Sequence, residues 1–488
     1  MNKVLFVSAE AAPFAKVGGM ADVVGSLPQA LRSQGCDTRV VMPGYGFIPH
    51  ELHNIRPLFT FEFTHRQGRS TIKVFTTEHE GVPFYFLQGW PYFGEDSSVY
   101  TEWNWDVPRF IFFNQAVMAF MAELREREAW FPDIVHVHDW HTGILPFLIE
   151  ENRWRSGWGQ IGTVLSIHNI AYQGEHIGGF LWQAGIPTRR KPELIFQNLT
   201  DNALAIAIAY SDMVTTVSPR YAIEIQYPAM GYGLDGLIRT RNQDVYGILN
   251  GLDMEKWNPD TDKALISNYN AENFPTKRPP NKKHLQAYAQ LPVREETPII
   301  GMVSRLVWQK GIDLAVPALR WLLTDTDVQF IVLGTGEAEL EHELWRLSKD
   351  FSWKARAFLQ YDAAVAQHIY AGCDIFLMPS HFEPCGIGQM IAMRYGALPL
   401  VRETGGLADT VINYDNEDAQ IGTGFTFLWE TPDAILGTMR WAIDTYHKRK
   451  QAWQRMQKRG MTTDFSWEKS ASAYMDVYEK ALQKHLSN

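Results

Sequence analysis

Short runs of β-branched and apolar residues recur along the chain with longer helix-like segments between them, and the series starts twice. The first series runs through residues 3–7, 38–42, 73–76, 83–87, 134–137, 163–167, 213–217 and 245–249, and the second through 299–303, 329–333, 357–359, 374–378 and 398–401. Alternation of this kind builds parallel sheets, because two parallel neighbours need a crossover long enough to hold a helix. At 488 residues the chain also exceeds the ~250–300 residues over which one hydrophobic core keeps growing. The expected fold class is therefore α/β, with two Rossmann-like, doubly wound domains. Their expected limits are 1–252 and 253–463. The proline-rich stretch 253–298 reads as the linker into the second domain, with a helix near 281–290. Apolar positions at helical spacing in 467–485 predict a terminal helix, within a segment 464–488 that packs back on the first domain.

Several loops that follow these strands carry chemically suggestive residues, and ligands of open α/β sheets bind at the carboxyl ends of strands. The first is Lys16-Val17-Gly18-Gly19 with Asp22, between strand 3–7 and a helix-like run through Leu31. Backbone N–H groups at a helix start favour an anion, and Lys16 adds a full charge. Ser304-Arg305-Leu306 and Gln309-Lys310-Gly311 follow strand 299–303. An arginine fork and a mobile lysine there suit a diphosphate, where a solvated basic loop is the plainer alternative. Glu383-Pro384-Cys385-Gly386 follows strand 374–378, and Thr404-Gly405-Gly406 follows 398–401. Glu383 can accept bonds from sugar hydroxyls or compensate a helix start, and Cys385 reads as a packed residue rather than a nucleophile.

His136 and His138 share one strand face, with Asp139 and His141 beside them and His168-Asn169 after the next strand. A His-x-His strand end can bind zinc, but His168 is the one later candidate ligand, so sugar contacts and cleft bracing fit better than a metal. Asp260-x-Asp262 and Asp325-x-Asp327 match a metal–nucleotide pattern, yet the first lies in the linker and the second precedes a strand; both are rejected. Gly334-Thr335-Gly336 lacks the third glycine of a dinucleotide fingerprint, which argues against a dehydrogenase.

Composition narrows the partners. A net charge of −10 argues against nucleic acid and anionic membrane, which select a basic face. Three cysteines without paired spacing suit a reducing compartment. No apolar run approaches a membrane span, and the chain enters its first strand without a leader-like segment. A bacterial cytoplasm or a plastid stroma after processing is the expected location. With 13% aromatics, including 17 tryptophans, sugar-stacking surfaces are possible, although aromatic side chains serve mostly as core.

Together and in this order, Lys16-Val17-Gly18-Gly19, His136-x-His138-Asp139-Trp140-His141, His168-Asn169-Ile170-Ala171-Tyr172-Gln173-Gly174, Asn250-Gly251-Leu252-Asp253, the Arg305 and Lys310 loop, Glu383-Pro384-Cys385-Gly386 and Thr404-Gly405-Gly406-Leu407-Ala408-Asp409-Thr410 resemble bacterial glycogen synthases and plant starch synthases. The resemblance covers essentially the whole chain. It implies a GT-B fold whose two domains face across a deep cleft and close on substrate, and transfer of glucose from ADP-glucose to the non-reducing end of an α-1,4-glucan with retention, without a cofactor. By position it implies that Lys16, Gly18 and Gly19 meet the donor's diphosphate side and that Arg305 and Lys310 grip the phosphates. It further implies that Glu383 holds glucose hydroxyls near Cys385 and Gly386, that Thr404 and Gly405 cradle phosphate, that His168 touches the transferred glucose, and that Tyr361 stacks on adenine. Asp22, Asp139 and Asn250 fall on motif positions with less defined roles. Val17 and Met20 stand where the family commonly has Thr and Leu, and Ile391 stands where many related enzymes carry a second Glu; neither departure changes the expectation.

No motif supplies the facing carboxylate pair that a covalent glycosyl intermediate requires, so the resemblance implies a front-face reaction. Basic loops recognise diphosphate without choosing the base, which leaves a UDP-glucose transferase as one alternative. A glucan-binding paralogue without turnover and a metallohydrolase are the others.

Overall fold

The computed structural model describes residues 2–486, and the chain divides into two compact units, Met1–Gly251 with Trp467–Asn488, and Leu252–Ser466. In the first, nine strands form one sheet: β1 Lys3–Val7, β2 Asp37–Pro43, β3 Arg56–His65, β4 Gly68–His79, β5 Val82–Gly89, β6 Ile134–His138, β7 Gly162–Ile167, β8 Met213–Thr216 and β9 Val245–Gly247. Their order is β3-β4-β5-β2-β1-β6-β7-β8-β9. The strands from β5 through β9 are parallel to their neighbours, and β3 and β4 form an antiparallel extension on β5. β1, β6 and β7 are buried on both faces, which is why they read as continuous apolar runs rather than alternating ones.

β3 is an addition to the expected strands. Its Phe59, Phe61 and Phe63 alternate with polar residues, and one face packs on the helix Trp103–Glu128, with Phe63 5.5 Å from Phe112 and Phe59 6.3 Å from Phe120 between ring centroids. The rest of β3 is exposed, and Pro57 sits at a register shift, so the apolar density that marks the other strands is absent.

The second unit holds β10 Ile299–Val303, β11 Gln329–Leu333, β12 Ala355–Phe358, β13 Ile375–Met378, β14 Leu398–Arg402 and β15 Phe425–Phe427. All pairs are parallel, in the order β12-β11-β10-β13-β14-β15. The chain winds outward from β10 in one direction and then from β13 in the other, the doubly wound arrangement that opens a crevice between those two strands. β15 is only three residues long and escaped the sequence reading.

The stretch 253–298 is not a linker. It is folded into the second unit by buried polar anchors together with irregularly spaced buried apolar residues, among them Phe274, Leu285 and Leu291. Tyr395 donates to Asp262 at 2.6 Å, and Tyr269 donates to the Tyr395 carbonyl at 2.8 Å. Buried Arg278 donates to the carbonyls of Tyr395 and Cys373. The helix Pro279–Tyr288 follows. The terminal helix Trp467–Leu486 belongs to the first unit, where Tyr478 bonds His136 at 2.8 Å and Gln34 donates to the Glu468 carbonyl.

Arg278→Met removes a charged donor from carbonyls that water cannot reach. It is expected to lower the stability of the second unit by about 3 kcal/mol, read as a fall in the urea midpoint, whereas Arg294→Met on an exposed pair with Asp327 leaves that midpoint within error.

Candidate functional site

In the second unit the loops after β10, β13 and β14 meet. After β10 the chain passes exposed Arg305 and a short turn, Trp308–Lys310. Gly311 follows at φ 70°, and a Cβ there would stand 2.1 Å from the Pro379 carbonyl oxygen. Only glycine lets this turn seat against the loop after β13. His381 donates its backbone N–H to Gln309 at 2.9 Å, and the Lys310 ammonium reaches Glu383 Oε2 at 2.6 Å. Ser380 Oγ donates to the same oxygen at 3.0 Å. Glu383 is buried.

The loop after β14 approaches backbone to backbone. A Cβ on Gly405, at φ 44°, would lie 1.9 Å from the Glu383 carbonyl oxygen, and one on Gly406 would lie 2.0 Å from that of Cys385. Gly406 N–H donates to the Glu383 carbonyl at 3.1 Å. Gln389 ties the arrangement by donating to the Cys385 and Gly386 carbonyls and to Thr410 Oγ1. Thr404 is buried one residue before the helix Gly405–Thr410. Lys310, Glu383, Cys385, Gly386, Thr404 and Gly405 therefore form one cluster, with Arg305 at its exposed edge. Tyr361 lies past the end of β12 and is 91% exposed. Gly334 and Gly336 belong to no dinucleotide loop; they pack against Ser304 and Leu306, where a Cβ would clash at 2.1 and 2.2 Å.

Sequence reasoning missed His381, which is flanked by Asp313 at 2.9 Å and by Glu430. The Trp308 ring stacks on it at 4.1 Å. Its position in Ser380-His381, directly past β13, was the available signal.

In the first unit the expected anion loop already holds an anion. The carboxylate of Glu10 accepts from Val17 N–H at 2.7 Å and from Gly18 N–H at 2.9 Å, and Tyr100 donates its hydroxyl to the other oxygen. The Gly18 amide is thus engaged by the chain itself, which corrects its reading as a bare donor for phosphate. Lys16 pairs with Asp22 at 2.6 Å, with half of the lysine side chain exposed. A Cβ on Gly18 or Gly19 would meet nothing within 4 Å, so the chain's own packing does not demand glycine there, and the space beside them is open. Gly19 begins the helix Gly19–Ser33. Glu10, two residues past the Ser8 that follows β1, was not singled out from sequence.

The loops after β6 and β7 meet through Asp139, at φ 54°, whose Oδ1 accepts the His168 N–H at 2.7 Å. His138 Nδ1 and His168 Nε2 lie 2.9 Å apart. His136 is engaged by Tyr478 and by Ser166. Burial pushes His136, His141 and His168 down to about 3 and His138 well below its ordinary value. These imidazoles are neutral at physiological pH. Burial raises Asp139 to about 7 against two backbone N–H bonds that pull it down. Asn250 is buried, and its side-chain oxygen has no hydrogen-bond partner among the described residues.

Comparison with known proteins gives a consistent answer over the full length. Residues 3–240 match the family model described as starch synthase catalytic domain, and residues 286–459 match glycosyl transferases group 1. The chain is 42% identical to a glycogen synthase of Lactiplantibacillus plantarum, covering 99% of this chain and all of that one. It is 40% identical to a glycogen synthase of Streptococcus equi subsp. zooepidemicus, covering 98% of this chain and all of the relative. Among solved structures, the catalytic domain of starch synthase IV from Arabidopsis thaliana, bound to ADP and acarbose, aligns with TM-score 0.87 and 32% identity over 99% of both chains. Sucrose-phosphate synthase from Thermosynechococcus elongatus aligns with TM-score 0.62 at 15% identity over the full length of both, a likeness of fold. The two α/β units have the GT-B fold.

Two outcomes test this geometry. Gly405→Ala forces a Cβ into the Glu383 carbonyl at an unfavourable φ and is expected to lower turnover at least about tenfold, the loss that accompanies ~1.4 kcal/mol of misplaced stabilisation. Asp139 holds its proton more tightly folded than unfolded, so its ionisation destabilises the fold as pH rises from about 4 to 7. Asp139→Asn is accordingly expected to gain stability relative to the parent on going from pH 5 to pH 8, by a few kcal/mol at most, read from paired urea melts.

Proposed function

The chain belongs to the family of bacterial glycogen synthases and plant starch synthases, and we propose that it transfers glucose from ADP-glucose to the non-reducing end of an α-1,4-glucan with retention at the anomeric carbon. The observation that carries the reading beyond family membership is the 2.6 Å contact between Lys310 and Glu383, from loops after two strands that flank the sheet's switch point. Lys310 and Arg305 supply positive charge for the donor diphosphate. Glu383 holds Lys310 in place and accepts bonds from hydroxyls of the transferred glucose. Thr404 and the Gly405 backbone bear on the phosphate side, with Cys385 and Gly386 offering backbone groups. Tyr361, exposed past β12, is available to stack on adenine.

In the first unit, neutral His168 donates to or accepts from a sugar hydroxyl without adding charge, and Asp139 fixes its backbone. Lys16 contacts the donor by leaving Asp22, whose pairing is solvent-exposed and therefore weak, worth ~0–1 kcal/mol. Gly18 and Gly19 contribute open space rather than a bare Gly18 amide.

The reaction breaks the bond between the anomeric carbon and the β-phosphate oxygen on the same face on which the acceptor 4-hydroxyl attacks. The departing phosphate oxygen takes the hydroxyl proton, so ADP leaves and no enzyme base is required. Charge grows on that phosphate as the bond stretches, and preorganised cations stabilise the transition state more than the ground state.

Release of nucleoside diphosphate from ADP-glucose and from UDP-glucose, each with glycogen and with maltotriose, tests the reading. Release from ADP-glucose alone supports it, and release from UDP-glucose alone overturns the donor. Lys310→Ala and Arg305→Ala are each expected to lower turnover by ~10²–10³, by analogy with loss of one transition-state donor; near-parental rates in both would remove these residues from the mechanism.

A further inference from the structure

Consecutive residues of the turn after β10 meet the loop after β13, and His381 receives the first two. The Trp308 ring stacks on the His381 ring at 4.1 Å between centroids, with the planes 10° apart. The His381 N–H donates to the Gln309 carbonyl at 2.9 Å, and the Gln309 side chain donates to the Phe382 carbonyl at 3.2 Å. Lys310 comes next and reaches Glu383 at 2.6 Å. The turn is only three residues of 3-10 helix, a form with poorer hydrogen-bond geometry than the α-helix. Its contacts with the neighbouring loop therefore decide where its lysine stands.

The His381 side chain is buried and has a carboxylate on each ring nitrogen. Nε2 lies 2.9 and 3.0 Å from the two oxygens of Asp313, in the first turn of the helix Ile312–Asp325. Nδ1 meets Glu430, in the segment after β15. A neutral imidazole donates from one nitrogen only, so the two contacts together require a proton on each and a positive charge on the ring. A cation against an indole face is attracted by the ring quadrupole, so the charge that satisfies the carboxylates also strengthens the Trp308 stack. Arg402, the last residue of β14, donates to the carbonyls of Ser380 and His381 and holds the backbone from the other side.

We propose that His381 is a positioning residue for the transfer reaction: its charged ring, clamped by Asp313 and Glu430 against Trp308, fixes the turn that places the Lys310 ammonium on Glu383. That Lys310 faces a departing phosphate rests on the proposed function, whereas its placement by His381 rests on these contacts alone. The second carboxylate matters as much as the first, because Asp313 ties the ring to the segment that carries Lys310 and Glu430 ties it to another strand end.

His381→Gln and His381→Arg test the assignment. A glutamine amide donates to one carboxylate and turns its oxygen toward the other, whereas a guanidinium is permanently charged, donates on both sides and stacks on an aromatic face. A cavity of about 530 Å³ lined in part by Trp308 and Asp313 leaves room for the longer side chain. His381→Gln is expected to lower kcat by ~10–10²-fold, the scale of a misplacement of up to ~1 Å at a reacting centre, with KM for glycogen at the parental value. His381→Arg is expected to restore most of that loss. Lysine acetylation read by mass spectrometry supplies a measurement independent of turnover. Lys310 is expected to label faster in His381→Gln than in the parent, while Lys282, in a buried pair with Asp374, labels at the parental rate. Parental kcat in His381→Gln overturns the proposal, as does His381→Arg no more active than His381→Gln. Unchanged labelling of Lys310 overturns it too, and so does a rise at Lys282 in step with Lys310, which would mark general loosening of the unit. If the parent transfers no glucose at all, the proposed function fails while the labelling still decides the role of His381.

Discussion

Lys310 and Glu383 meet at 2.6 Å where Ser380 also donates to the carboxylate, and the loop geometry of the second unit is arranged around that contact. A buried carboxylate is costly unless it is paired and hydrogen-bonded. The pairing in turn requires the turn after β10 to approach the loop after β13 more closely than a side chain allows. Gly311 meets that demand against Pro379, and Gly405 and Gly406 meet it against Glu383 and Cys385. The glycines are therefore not generic loop residues. They set how near three strand ends can come, and so where one lysine and one glutamate stand.

The first unit solves a related problem with an internal anion. Glu10 occupies two N–H groups of the loop that begins the first helix, so the loop has its shape before any ligand is present. Its mobile charge, Lys16, stays on an exposed pair with Asp22. A short distance along the same unit, the buried histidines are kept neutral by desolvation, and Asp139 is raised toward neutrality by the same cause. The second unit thus sets a buried charged pair at its strand ends, whereas the loops after β6 and β7 of the first carry neutral imidazoles.

Much of the site was legible because it lies where α/β chemistry gathers, directly after apolar strands. Arg305, Lys310, Glu383 and Thr404 each follow a run dense enough to be recognised as β10, β13 or β14. Tyr361 and Asn250 were found by resemblance alone, and nothing in local periodicity marks them. Glu10 and His381 were missed for a common reason. Each is a polar residue just beyond a strand whose role depends on a partner far away in sequence, Tyr100 in one case and Asp313 and Glu430 in the other. The stretch 253–298 was misread because Asp262, Tyr269 and Arg278 hold it by buried polar bonds, which leave no apolar rhythm.

The sequence by itself determined the two α/β series, the strands that form the sheet centres, and the order of loops that carry function, since strand burial on both faces writes itself as unbroken apolar runs. Only the tertiary structure decided which of the loop residues meet. It joined Lys310 to Glu383 across 73 positions, gave the Gly18 amide to Glu10, and placed His168 on His138. Those outcomes depend on close backbone approach and on burial of particular polar atoms, and neither is encoded in any one segment of the chain.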